Sequence, residues 1–174
     1  MKNKAMESRL GEEIMQFIDA RRSLQLASLD ENGMPYASYA PFAVGEDCLF
    51  VLLSEIAIHA VNLLKNPAAS VLIIEDEGPA EELFARVRVN YAVRAEHLDY
   101  GSNDWQLAME RLVERHGERP RKLGEHTDFK MFRLVPQSGR YVKGFGKAYT
   151  LVGNSLSGTA VDHLRDGHKR RSAA

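Results

Sequence analysis

Ser23-Leu-Gln-Leu-Ala-Ser-Leu29, then Asp30-Glu-Asn-Gly33, then Pro35-Tyr-Ala-Ser-Tyr-Ala-Pro-Phe-Ala-Val44, is the stretch on which the fold turns. The first run alternates with period two, as a strand with one buried face does. Asp-Glu-Asn-Gly supplies turn chemistry and Pro35–Val44 returns, so the segment predicts a β-hairpin. Downstream, Cys48–Leu53 reads as a third strand. Ala57–Leu64 has a short helical pattern that Asn66-Pro67 stops. Ala69–Ile74 is a continuously apolar fourth strand, suited to burial on both faces.

Upstream, residues 7–20 place Leu10, Ile14, Phe17 and Ile18 at helical spacing opposite Glu12, Glu13 and Asp19, an amphipathic opening helix. Beyond the hairpin region, Glu75–Glu82 is acidic, contains Gly78-Pro79 and predicts a solvated connector. A long alternating strand should run from Ala85 to about Leu98, and a helix from Asn103 to His116 with Trp105, Leu107, Ala108, Met109, Leu112 and Val113 available for its buried side. Lys130–Val135 and Arg140–Leu151 return to strand character, broken by Gly144 and Gly146. Strands and helices do not alternate strictly, which argues against a doubly wound sheet and for a mainly β fold, an antiparallel barrel with appended helices. No internal repeat or low-complexity segment interrupts it. The 174 residues suit one domain, 1–174, with an N-terminal helix at about 7–20 and a tail at about 155–174.

Composition narrows the function classes. The 23 basic and 24 acidic residues nearly cancel, so no global field points to nucleic acid or to an anionic membrane. No window approaches the roughly 20 apolar residues of a membrane span, and Met1–Arg9 lacks the apolar core of a secretion signal. Cys48 is the lone cysteine, which excludes an intrachain disulfide framework and a CxxC pair; a cytoplasmic protein is expected.

Sequence motifs for nucleophilic serine, phosphate-binding loop, dinucleotide and zinc-protease chemistry are all lacking. Lys143-Gly-Phe-Gly146 contains a GxG, but within strand-like sequence, where strand bending explains it as well as a close backbone approach to a ligand. The six histidines are dispersed rather than paired at zinc spacings. One stands out: His168, within Arg165-Asp-Gly-His-Lys-Arg-Arg171. It has two readings, a solvated basic tail or a ligand arm closing over a bound anionic molecule.

Leu24–Phe42 and Ser54-Glu-Ile-Ala-Ile-His59-Ala-Val-Asn-Leu-Leu64 resemble the FMN-binding split-barrel superfamily that includes pyridoxamine 5'-phosphate oxidase. Ile74–Glu77, Leu83–Arg88, Asp128–Leu134, Val142–Ala148 and Gly167-His168 are similar, within it, to the short heme-degrading proteins of bacterial heme-iron utilisation. The resemblance spans nearly the whole chain. It implies a homodimer of six-stranded antiparallel split barrels that binds heme near the subunit interface and cleaves it with dioxygen to release iron. His168 maps to the axial ligand of the heme iron, Asp128 to its carboxylate partner across the dimer, and Arg88 to a basic residue near the open heme face. Lys143 is a further candidate to meet a propionate.

Each residue keeps a plainer reading beside that one. Asp128 suits a turn or cap before the strand near Lys130, and Arg88, between Val87 and Val89, suits a solvent-facing strand position. His59 reads as structural, and Trp105, Phe132 and Phe145 as core. Two other functions fit the same fold: an FMN-dependent oxidoreductase, for which no convincing phosphate clamp is visible, and a heme carrier or store without turnover. An enzyme would also need an electron donor, which the sequence does not identify.

Overall fold

The computed structural model describes residues 2–158, 160–163 and 171; His168, Lys169 and Arg170 lie outside the described residues. The chain runs α1 (Lys2–Asp19), β1 (Ser23–Leu29), β2 (Pro35–Pro41), β3 (Ala43–Val44), β4 (Leu49–Ser54), α2 (Ile58–Lys65) and β5 (Ala68–Ile74). A 3-10 turn (Leu83–Ala85) then leads to β6 (Arg88–Leu98), α3 (Asn103–His116), α4 (Arg119–Gly124), β7 (Phe129–Gly144), β8 (Lys147–Val152) and β9 (Ala160–His163).

The strand order is β2-β1-β5-β6-β7-β4-β3, antiparallel at every step. Only Phe42 separates β2 from β3, so the two ends of this path are halves of one strand. The first half pairs with β1 and the second with β4, which closes the sheet. Counted as one bent strand, β2 and β3 complete the six strands expected of the barrel. At β7 the sheet divides: residues 129–134 pair with β4, and residues 138–144 pair with β8, to which β9 is added.

The bend is held from three sides. The Phe42 side chain is fully buried, its N–H donates to the Arg22 carbonyl at 3.2 Å, and its carbonyl accepts from His116 Nε2 at 2.7 Å. The Arg115 guanidinium lies over its ring, 4.8 Å from the centroid. Arg115 Nη2 also donates to the carbonyls of Ile18, Asp19 and Arg21 at and just past the C-terminus of α1, where helical partners run out. The last turn of α3 therefore fastens both the opening helix and the barrel corner.

The main core joins Leu10, Ile14 and Ile18 of α1 to the inward faces of β1, β5 and β6. A smaller cluster, with Cys48, Phe50, Met109, Leu112 and Met131, lies under α3. Helix α3 starts where Ser102 Oγ accepts the Trp105 N–H at 3.2 Å.

Several expectations are corrected. Helix α1 begins at Lys2, not Glu7, because no breaker precedes the amphipathic run. The long alternating strand begins at Arg88, since Leu83–Ala85 turns as a 3-10 segment capped by the Glu82 carboxylate. In β5 only Val71 and Ile73 are fully buried, and Leu72 and Ile74 are half-covered. The gap expected near Pro136 is no break. Pro136 has no N–H to give the ladder, and β7 passes Gln137 as a bulge opposite Ala92 and Val93. The GxG segment is a hairpin turn, with Gly146 at φ +71° and a register shift after Val142. Phe145, on that turn, is 64% exposed rather than core, while Phe132 is buried as expected. Helix α4 and strand β9 were not anticipated.

Phe42→Ala should lower stability by about 3–5 kcal/mol, as for other buried aromatic truncations, read as a shift in the midpoint of urea unfolding. A loss below about 1 kcal/mol would mean that the corner is held without its ring.

Candidate functional site

Asp128 sits in the turn before β7, just past the last rung of the β4–β7 ladder, Ser54 opposite Phe129. Its carbonyl accepts the Glu55 N–H at 2.8 Å. Its carboxylate Oδ2 accepts the Ser54 hydroxyl at 2.6 Å, and Ser54 Oγ in turn accepts the Ile56 N–H at 3.1 Å. None of the described residues donates to Oδ1. The expected turn role is thus real, and it leaves half of the carboxylate unused.

Ser54 and Phe129 also line a mainly apolar cleft of about 460 Å³, walled by Leu52, Leu112 and Leu123 and rimmed by Arg22 and Arg119. A larger groove of about 560 Å³ along α1 is an open furrow between Glu7, Glu12 and Ser157 in which no functional groups converge. His59 and His116 face the apolar cleft. His59 Nδ1 lies 2.9 Å from Ser38 Oγ. The Ser38 hydroxyl donates its proton to the Leu26 carbonyl at 3.3 Å, so it accepts from His59, whose proton is therefore on Nδ1. Its Nε2 carries a lone pair with no partner among the described residues. Burial pushes the His59 pKa below the ordinary 6.5 and favours the neutral ring. His59 is thus fixed structurally, as expected, yet keeps a nitrogen able to accept a proton or a metal.

Arg88 and Lys143 lie at the other end of β7. Arg88 opens β6 opposite Val142, next to Lys143 in β7. Arg88 Nη1 donates to the Arg86 carbonyl at 2.9 Å, and no carboxylate among the described residues pairs with it. Lys143 Nζ is 3.0 Å from Glu13 Oε2, and Glu13 Oε1 accepts the Tyr141 hydroxyl at 2.9 Å. Burial and this bond to the Glu13 carboxylate push the Tyr141 phenol pKa up. Asp128 and the end of β7 that carries Arg88 and Lys143 are separated by nearly the whole of that 16-residue strand, roughly 50 Å of extended chain at about 3.3 Å per residue.

One chain therefore places Arg88 and Lys143 at the same end of β7, on opposite faces of the sheet, and brings neither to Asp128. Sequence reasoning missed Ser54 and the hydrogen-bonded orientation of His59. Ser54 stands 74 positions from Asp128, and the local signal, a serine two residues before an apolar N–H, suits any side-chain turn.

The family model of pyridoxamine 5'-phosphate oxidase matches residues 10–143. The chain is 42% identical over 174 residues to the heme oxygenase HutZ of Vibrio cholerae, covering 99% of this chain and 97% of that protein. A crystal structure of HutZ, described there as a heme storage protein, aligns over 72% of this chain and 88% of that one with a TM-score of 0.69. The crystal structure of Campylobacter jejuni ChuZ aligns over 95% of this chain and 67% of that one, at 28% identity and a TM-score of 0.83.

The lowered pKa of His59 has a signed consequence for stability. Below pH 6.5 the unfolded chain takes up a proton that the folded ring resists, so His59 destabilises the fold as pH falls from that point toward its lower folded pKa. His59→Gln, which can still donate to Ser38, should flatten the pH dependence of urea unfolding between about pH 7.5 and 5.5. An unchanged slope would assign the acid sensitivity to other groups.

Proposed function

The chain belongs to the pyridoxamine 5'-phosphate oxidase family, and from that premise we propose that it binds heme and cleaves it with dioxygen, releasing iron. The observation that carries this reading is the Asp128 carboxylate, one oxygen anchored and one open beside an apolar cleft. An imidazole ligating iron needs an acceptor for its second ring nitrogen, and a carboxylate in that place fixes the tautomer and strengthens donation to the metal. Asp128 Oδ1 is free to accept that proton, and His168 is the imidazole we assign to the iron. The similarity to HutZ supports the heme assignment.

The site as proposed is shared between two copies. Asp128 and the Arg88–Lys143 pair lie at opposite ends of β7, so a second subunit must bring the other half. Apolar side chains near both ends, Ile56 at 89% exposed and Phe84 at 92%, suit a homodimer interface. In this arrangement the apolar walls exclude water from the macrocycle. Arg88, permanently charged and free of carboxylates, meets a propionate or steadies an anionic group on the open face. Lys143 can meet a propionate by releasing Glu13. Bound heme supplies the oxygen activation once an electron donor has reduced it.

Among the described residues no helix is long and apolar enough to cross a membrane, and a cytoplasmic enzyme is part of this proposal. Storage without turnover is the second reading, favoured by the description of the HutZ structure. An FMN enzyme is less well supported, because the turn into α2 carries the apolar Ile56 and Ile58 where a phosphate clamp would need basic groups.

Hemin titration should give a saturable Soret band that weakens or shifts in His168→Ala. Ascorbate in air should bleach that band and release iron in the wild type, and do so about tenfold or more slowly in Asp128→Asn. A band that persists with ascorbate would make the protein a store. A flavin spectrum without saturable hemin binding would make it a flavin oxidoreductase.

A further inference from the structure

We propose that Ser54 is a positioning residue that sets the orientation of the Asp128 carboxylate, and through it the strength of the proximal iron–imidazole bond. The inference rests on the heme reading above. It starts from what Ser54 is not needed for. The main chain at Asp128 is already fixed by the Glu55 N–H and by the Ser54–Phe129 rung of the ladder. At Asp128 the hydroxyl therefore acts on the side chain, while the same oxygen also holds the Ile56 N–H.

A carboxylate at the end of its short stem can rotate about its last bond and present either oxygen. Ser54 removes that freedom. Its single proton goes to Oδ2 at 2.6 Å, the short distance of a charge-assisted bond. Its own lone pair is occupied by the Ile56 N–H at 3.1 Å, which aims the hydroxyl. Of the charged groups beside the turn, Lys130 and Glu55 pair with each other at 3.5 Å, so neither draws Asp128 away. Oδ1 is left with no donor among the described residues, and its direction is fixed by the anchored Oδ2. Ser54 also lies at the edge of the apolar cleft, so a disturbance there would be felt where the macrocycle sits.

Three variants test this: Ser54→Ala, Ser54→Thr and Asp128→Asn, each loaded with hemin. Three quantities are measured: the iron–imidazole stretching band of the reduced form by resonance Raman, hemin affinity, and the rate of Soret loss with ascorbate. Ser54→Ala should shift the stretching band to lower frequency, in the direction of Asp128→Asn but by less. It should slow Soret loss several-fold at nearly unchanged affinity, less than the about 10–100-fold seen for direct partners of metal ligands. Ser54→Thr keeps a hydroxyl at a strand end and should restore both. A purely structural serine would lower the unfolding midpoint without moving the band.

If Asp128→Asn shifts the band and Ser54→Ala does not, the positioning role is overturned and the heme reading stands. Failure of Ser54→Thr to restore the band also overturns it. Wild-type behaviour in both Asp128→Asn and Ser54→Ala overturns the role of Asp128 itself, and absence of saturable hemin binding overturns the heme reading with it.

Discussion

Closure of the sheet at Phe42 is the constraint on which the rest depends. A strand that pairs with β1 and then with β4 must turn away from its own ladder for one residue, and that residue's N–H and C=O then need partners outside the sheet. Arg22 supplies the acceptor and His116 the donor, while Arg115 covers the ring and collects the free carbonyls at the end of α1. Three segments distant in sequence meet at one fully desolvated aromatic side chain. The cleft wall formed by Leu112, His116 and Leu123 is in place because the corner holds the end of α3 there.

The same closure makes β7 the spine of the molecule. It pairs with β6 along nearly its whole length, with β4 at its start and with β8 at its end. The candidate site residues are distributed accordingly. Asp128 hangs from the start of the spine, where the ladder with β4 runs out, and Lys143 stands near its far end beside Arg88. The strand keeps these groups apart, which is why the site proposed above is shared between two copies.

The strands were legible where the side-chain pattern is local. The period-two alternation of β1, the turn at Asp30–Gly33 and the apolar stripe of α3 each declare themselves within a dozen residues. The bend at Phe42 does not, because nothing in Ala-Pro-Phe-Ala-Val shows that the strand changes partners. Residues 136–139, which separate the two expected strands, belong to one strand instead, because a bulge past Gln137 absorbs the N–H that Pro136 lacks. The site residues divide similarly. Asp128, Arg88 and Lys143 were found through resemblance, whereas their engagements, Ser54 at a separation of 74 residues and Glu13 at 130, exist only in the folded chain.

Those engagements also rank the candidate cations. Lys143 is held by Glu13, but with side chains 31% and 41% exposed such a pair contributes no more than about 1 kcal/mol. A propionate that replaced Glu13 would gain little charge attraction that the lysine did not already have. It would also leave the Tyr141 hydroxyl bond to a carboxylate freed of its cation. Arg88 carries no such debt: its bond to the Arg86 carbonyl uses one nitrogen, and the remaining donors of the guanidinium fork are open to an anion. In the proposed heme complex, attraction at this end therefore falls mainly on Arg88, with Lys143 acting to keep α1 against β7 and only secondarily as a propionate contact.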